Sequence, residues 1–333
     1  MGCLADLEKR SQAKIRDSVD FFAGTSIGGI VALALAADIS VDKIAAAFER
    51  HGPRLFTRRR KPGPIANVWR LARNIFAAPY SNEILKELIN ELVGDDRRLG
   101  DLDRYVLIPA FNLRTGSIVW FRNYNPKCPD EPNYEFADAK VTDIALATSA
   151  APTYFRPHDF KIYSRSTEAQ ASHDAGDYVD GGVFANCPDL RAHHEAVSVL
   201  QCKESIVNIL ALGTTTENIA EPTHNVRHWG LYYWLTNHRL TDVLMAAQQQ
   251  NVVSILRERM NERYVRIDGE PAEAQLAYMG LDIAGAGAEE TIHDLATATM
   301  QKIWNTDGQN ADLQESLQNF GSSGNRVGDF GGS

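Results

Sequence analysis

Ser26 is the side chain in this sequence whose neighbours best suit a nucleophile. It stands inside Gly24-Thr25-Ser26-Ile27-Gly28-Gly29, after Val19 to Ala23, which read as a short buried strand. The almost wholly apolar run Ile27 to Ala37 follows and reads as a buried helix. A Gly-x-Ser-x-Gly at a strand-to-helix junction is the nucleophile-elbow pattern, a sharp turn that pushes the serine hydroxyl out of the backbone. The flanking glycines, Gly24 and Gly28, are expected to be required because side chains there would clash. A helix starting after Ser26 points its free N–H groups and positive dipole end at the place where an oxyanion would form. The chemistry that fits is acyl transfer through a serine ester. A plain glycine-bearing turn with a surface serine fits the same five residues, and the flanking strand and helix favour the elbow. A second tight turn, Asp180-Gly181-Gly182, closes an apolar stretch and leaves a carboxylate facing outward. It is either a chemical group or an ordinary Asp-Gly turn.

The elements that must position these turns alternate between helix and strand. Leu4, Leu7 and Ile15 give residues 3 to 16 a helical stripe, and Val41 to Arg50 form an amphipathic helix. Ser81 to Val93 reads as a helix capped by Ser81 and stopped by Gly94. Tyr105 to Phe111 and Ile118 to Phe121 read as strands joined by a turn with Gly116 near its end. Val141 to Ala150 form a helix that Pro152 ends. Ser164 to Asp177 is polar and reads as a loop. Leu190 to Leu200 form a helix carrying His193 and His194, and Ile206 to Leu212 a strongly apolar strand. Beyond residue 215 the pattern is mostly helical, with Leu240 to Met260 and Glu289 to Trp304 as helices and Arg263 to Ile267 as one more strand. Between residues 54 and 76, Arg54, Arg58, Arg59, Arg60 and Lys61 are interleaved with Phe56, Trp69 and Phe76. Such a segment is either a solvated insertion with its own apolar cluster or a contact for an anionic lipid surface beside the site.

Composition narrows the class. The chain has 333 residues, 44% of them hydrophobic and 23% charged, an ordinary globular balance. A formal charge of -9 argues against a nucleic-acid binder. No apolar run reaches the roughly 18 residues that a spanning helix needs, and the first residues carry Asp6, Glu8, Lys9 and Arg10 rather than a signal-peptide core. The four cysteines, Cys3, Cys128, Cys187 and Cys202, are scattered without metal-ligand spacing and fit a reducing, cytoplasmic location. His173 and Asp174 have no third ligand at a suitable spacing, so neither a metal nor another cofactor is expected.

Taken together, Gly24-Thr25-Ser26-Ile27-Gly28-Gly29 and Asp180-Gly181-Gly182-Val183-Phe184-Ala185-Asn186-Cys187-Pro188 resemble the two signature motifs of the patatin-like phospholipases. Ala147 to Phe155 resembles the stretch that this family carries between them. Phe111 to Phe121 is similar to its strand pair, and Ile209 to Thr214 to its late core strand. The resemblance covers roughly residues 3 to 215. It implies an α/β fold, an αβα sandwich with a largely parallel central sheet. It also implies a Ser–Asp dyad, Ser26 and Asp180, that hydrolyses acyl esters of membrane lipids without histidine. Gly24, Thr25, Gly28, Gly29, Gly181 and Gly182 are then shaping residues. Residues 1–215 would be the catalytic domain, 216–320 a helical extension packed on it, and 321–333 a flexible tail.

The family also places a Gly-Gly-Gly-x-Arg-Gly loop, whose N–H groups form the oxyanion hole, before its first helix. This sequence opens at Met1 with that helix under way, so the loop is not in it. The expectation is either a shortened form or one of low or no activity, since losing a single oxyanion donor costs about 100- to 1000-fold. Two other functions compete. One is a Ser-His-Asp esterase using His193, His194, His224 or His228; the other is a non-catalytic or regulatory module on the same fold. Some bacterial members act in phage defence and are switched on by a cyclic nucleotide. The resemblance extends to this chain an activator of that kind, held by the helical region after residue 215, together with a phospholipid or membrane-surface substrate and peripheral contact with the inner membrane.

Overall fold

The computed structural model describes residues 1–55, 82–127, 136–152, 154–163, 172–214, 239–269, 271, 275 and 286–305. The fold is an αβα sandwich. It opens with α1 (Gly2–Ser11) and a single turn, α2 (Ile15–Ser18), then β1 (Phe21–Ala23), α3 (Ile27–Ala36) and α4 (Val41–Leu55). There follow α5 (Asn82–Val93), β2 (Tyr105–Asn112), β3 (Ser117–Arg122), α6 (Val141–Thr148), β4 (His158–Tyr163) and β5 (Ser172–Asp180). Two short helices, α7 (Gly182–Ala185) and α8 (Asp189–His194), lead to β6 (Ile209–Leu212). The long α9 (Arg239–Met260), β7 (Tyr264–Ile267) and α10 (Ala286–Asn305) complete the described elements.

The central strand is β2, and its residues from Val106 to Ala110 are buried on both faces. A strand with alternate side chains pointing to opposite faces can be continuously buried only when both faces are covered. On one side α3 and α6 pack on β1, β2, β4 and β5, with α4 and α5 behind them. Ala32, Leu33, Ala34, Leu35 and Ala36 are all buried. That explains why α3 is apolar around its whole circumference. Phe121, Phe160 and Tyr178 pack ring to ring at 5.2 to 5.5 Å between β3, β4 and β5.

The main sheet runs β1-β2-β5-β4, with β3 also paired to β2. Its sense is more mixed than helix–strand alternation alone suggests. β1 pairs parallel to β2, and β6 parallel to β7. β3 and β5 both run antiparallel to β2, and β4 antiparallel to β5. The reason is local: β2 and β3 are joined by a tight turn, which can only connect antiparallel neighbours. Residues 172 to 177, read from sequence as loop, are strand. They pair with β4 through a register shift between Phe160 and Lys161, beside Gly176 at φ 108. A polar strand carries no hydrophobic alternation, so its backbone pairing is invisible in composition. The Ser81 cap, residues 215–238 with His224 and His228, and the 321–333 tail lie outside the described residues. So does the basic segment, apart from Arg54, which pairs with Glu87 at 3.1 Å, and the buried Leu55.

The last elements are woven into the first. β7 adds to β6, and α10 packs on α1, where Arg10 stacks over Trp304 at 4.9 Å. Among the described residues no helix is long and apolar enough to cross a membrane.

Candidate active site

Ser26 and Asp180 are brought together by strand polarity. β1 and β5 pair end to end with the same edge of β2, the one opposite β3, and run in opposite directions. β1 ends where Ala23 aligns with Leu107, and β5 ends where Asp180 aligns with Ala110. The two chain ends therefore point at each other along one short stretch of β2, and each turns sharply as it leaves the sheet.

The first turn is strained. Ser26 has φ 56 and ψ -126, outside the regions that a side chain normally allows. Its backbone N–H donates to Thr148 Oγ1 at 3.2 Å, and the Thr148 hydroxyl donates to the Pro109 carbonyl at 2.6 Å. Its carbonyl accepts the first α3 bond, from Ile30 N–H at 3.1 Å. A Cβ on Gly24 would stand 2.1 Å from the Gly28 carbonyl oxygen, and one on Gly29 would stand 2.9 Å from Thr148 Cγ2. Gly28 differs from expectation: a Cβ there meets nothing within 4 Å. The packing requirement falls on Gly24 and Gly29, because Gly24 passes under the first turn of α3 and Gly29 faces Thr148. Gly28 instead leaves open space beside the serine.

The second turn is anchored from both sides. Asp180 N–H donates to the Ala150 carbonyl at 3.0 Å, and Gly182 N–H donates to Asp180 Oδ1 at 2.7 Å. A Cβ on Gly181 would lie 2.4 Å from the Pro109 carbonyl oxygen, so this position also excludes side chains. The Asp180 carboxylate is buried and lies close enough to the Ser26 side chain to be influenced by it. Burial pushes its pKa up to about 6, against the opposing pull of the Ser26 side chain and the Gly182 N–H. Thr25 ties the turns to each other, its hydroxyl donating to the Ala185 carbonyl at 2.6 Å.

All the predicted site residues therefore meet at one place. Thr148 was not assigned a role from sequence, although it lies inside the Ala147 to Phe155 stretch. A buried threonine after a run of small apolar residues is the only signal it offers. The described imidazoles for which a carboxylate neighbour is identified face other groups: His51 pairs with Glu91, His158 with Asp143, and His193 lies 3.6 Å from Glu204. Among the described residues no cluster of His, Cys, Asp and Glu could hold a metal ion.

This arrangement gives a serine a buried carboxylate of raised proton affinity to take its proton. It also places the start of a ten-residue helix beside the serine oxygen, where unshared N–H groups and the dipole favour negative charge. It is suited to acyl transfer.

A family model described as patatin-like phospholipase matches residues 2–192. A cGAMP-activated phospholipase of Pseudomonas aeruginosa is 32% identical over 90% of this chain and 83% of its own length. One of Vibrio cholerae is 33% identical over 83% of this chain and 77% of its own. Patatin-like protein 2 of Arabidopsis thaliana is 28% identical over 84% and 74% respectively. By the extent of these matches, and by the two turns that carry its signature motifs, this chain belongs to the patatin-like phospholipase family.

Proposed function

We propose that this chain hydrolyses acyl esters of membrane phospholipids through a Ser26–Asp180 dyad and an acyl-enzyme, as an effector that a cyclic nucleotide switches on. The observation that carries the dyad is the position of the buried Asp180 carboxylate, its proton affinity raised by burial, against the Ser26 side chain, which counters part of that rise. Asp180 takes the Ser26 proton as Oγ attacks the ester carbonyl. The oxyanion forms beside the α3 N-terminus, and Asp180 returns the proton to the departing alcohol. Water then gives a proton to Asp180 as its oxygen attacks the acyl carbon, and Asp180 passes that proton to Ser26 Oγ as the serine ester bond breaks and the fatty acid leaves. Ile27 and Val183, next to the two reactive turns, are 43% and 46% exposed and offer aliphatic contacts to an acyl chain. Residues 1–215 would carry this chemistry, with 216–320 as a helical extension on the same domain. The basic segment from 54 to 76 would meet anionic lipid. The activator reading rests on the names of the bacterial relatives, and a role in defence against phage on the family resemblance alone.

A fluorophosphonate probe tests the nucleophile directly. Mass spectrometry should find the adduct on the peptide containing Ser26, no adduct in Ser26→Ala, and slow labelling in Asp180→Asn. A stable adduct on any other serine would displace the assignment.

The pH dependence has a distinctive sign. The base must be ionised, so kcat/KM should fall tenfold per pH unit below about 6. Stability runs the other way. The folded-state pKa lies above the ordinary carboxylate value, so folding favours the protonated form. The associated stability is complete below the unfolded value of 3.8 and is lost as pH rises through about 6. That difference is equivalent to about 3 kcal/mol. Asp180→Asn should therefore melt higher than the parent at pH 8 and lose most of that advantage at pH 4. Equal melting temperatures at pH 8 would contradict the buried ionised carboxylate.

A further inference from the structure

A cavity of about 420 Å³ opens behind the second turn, lined by Trp120, Phe184, Ala185, Arg191, His193 and Arg259 among others. It is separate from the Ser26 hydroxyl but shares a wall with it. Ala185 lines the cavity, and its carbonyl accepts the Thr25 hydroxyl at 2.6 Å. Phe184 and Ala185 donate their N–H groups back to the Gly181 carbonyl at 3.1 and 2.8 Å. The single turn α7 is thus a bracket with one end on Asp180, the other on the serine elbow, and a flank in the cavity.

Its chemistry is that of a site for a planar, phosphate-bearing ligand. Phe184 meets Trp120 edge to face at 5.4 Å, and the Arg191 guanidinium lies over the Trp120 ring at 5.4 Å. Arg191 spends its Nε and one Nη on Glu195, and Arg259 its Nε on Glu204. A guanidinium has five donors, so each keeps others for an anion. Arg122 also pairs with Glu195, and Arg263 donates to the Glu204 carbonyl near Arg259. Trp120 Nε1, buried in the lining, has no hydrogen-bond partner, and the 3%-exposed His193 has its Nε2 3.6 Å from Glu204 Oε1, beyond hydrogen-bond length. Unpaired buried donors are costly and rare enough to call for an explanation. A phosphate oxygen or a base edge would satisfy them. The volume falls in the range of small-ligand and cofactor sites.

We infer that this cavity binds a cyclic nucleotide, its base stacked against Trp120 and its phosphate held by Arg191, Arg259 and His193, and that occupancy is transmitted through α7 to Asp180 and Ser26. The inference rests on the activator reading above, but it locates the activator among residues 120 to 259 rather than in the helical region after 215 alone.

The test is isothermal titration of the full chain in a Ser26→Ala background, with cyclic GMP–AMP, AMP and inorganic phosphate as probes. Cyclic GMP–AMP should bind saturably, and Arg191→Gln with Arg259→Gln should weaken it at least tenfold. Ser198→Trp, which fills the cavity without removing an ion pair, should do the same in a protein whose melting temperature shows that it is folded. Hydrogen exchange in residues 181–186 should slow on binding in the parent and not in Ser198→Trp. Unchanged affinity in both folded variants would overturn the site while leaving activation elsewhere open to mapping. Absence of saturable binding by all three probes would overturn it outright. Because the serine is already removed, none of these outcomes depends on the hydrolase reading. Hydrolysis that survived in Ser26→Ala would defeat the dyad and leave the cavity standing.

Discussion

Ser26→Ala is expected to lower acyl-ester hydrolysis by about 10⁴-fold or more, and Asp180→Asn by about 10²- to 10⁴-fold. The first removes the atom that forms the covalent bond, and nothing adjacent replaces it. The second keeps the shape of the turn, including an oxygen for the Gly182 N–H, but removes the group that takes the proton. Members of a unit that acts in one step are not additive, so the double variant should be no slower than Ser26→Ala alone. Substrate binding should change little in either case, which puts the loss in kcat. The measurement is release of fatty acid from phospholipid vesicles at pH 8. More than a tenth of the parent rate in either single variant would end the dyad assignment.

Glu195→Ala is expected to cost about 3–5 kcal/mol of stability, the largest single-residue effect outside the elbow. Its carboxylate is fully buried, accepting from Arg122 Nη1 at 2.7 Å, Arg191 Nε at 2.8 Å and the Tyr124 hydroxyl at 3.1 Å. Burial and the neighbouring carboxylate push the Tyr124 phenol well above its ordinary pKa, so it remains a donor. Removing the acceptor leaves two guanidiniums without the carboxylate they share. Glu195 also opens a π-helical turn over Glu195–Val199, directly after α8. Such an insertion in a helix is a frequent mark of a functional site. Here it sets the carboxylate beneath Arg191 and so helps hold the cavity wall. Chemical denaturation should show a lower midpoint for Glu195→Ala and a smaller drop for Glu195→Gln, which keeps an acceptor. Parent-like stability in Glu195→Ala would show that the cluster is already neutralised elsewhere.

Both turns can be read in the chain because each is a backbone event. Gly24 and Gly181 sit where a Cβ would strike a carbonyl oxygen, and that constraint is written as a glycine whatever the rest of the fold does. The apolar α3 and the amphipathic stripes of α4 and α5 are equally legible, since burial of one face repeats along a helix. The strand at residues 172 to 177 was not, because a polar strand beside β4 is held by backbone bonds that leave no trace in side-chain type. Gly28 was read as sterically required when the space around it is open, because a motif does not say which of its glycines faces a wall.

What the sequence determined by itself is the pair of reactive groups, their tight turns and the helix that starts at the serine, all of which depend on residues within one or two turns of chain. What only the tertiary structure decided is that they meet. Ser26 and Asp180 are separated by most of the fold, and their contact exists because β1 and β5 approach β2 from opposite ends. The proton affinity of Asp180 is also a tertiary property, since it comes from the packing that excludes water from the carboxylate. The same holds for the cavity behind α7. Trp120, Phe184, Arg191 and Arg259 come from separate segments, and no local pattern could announce that their side chains share one space.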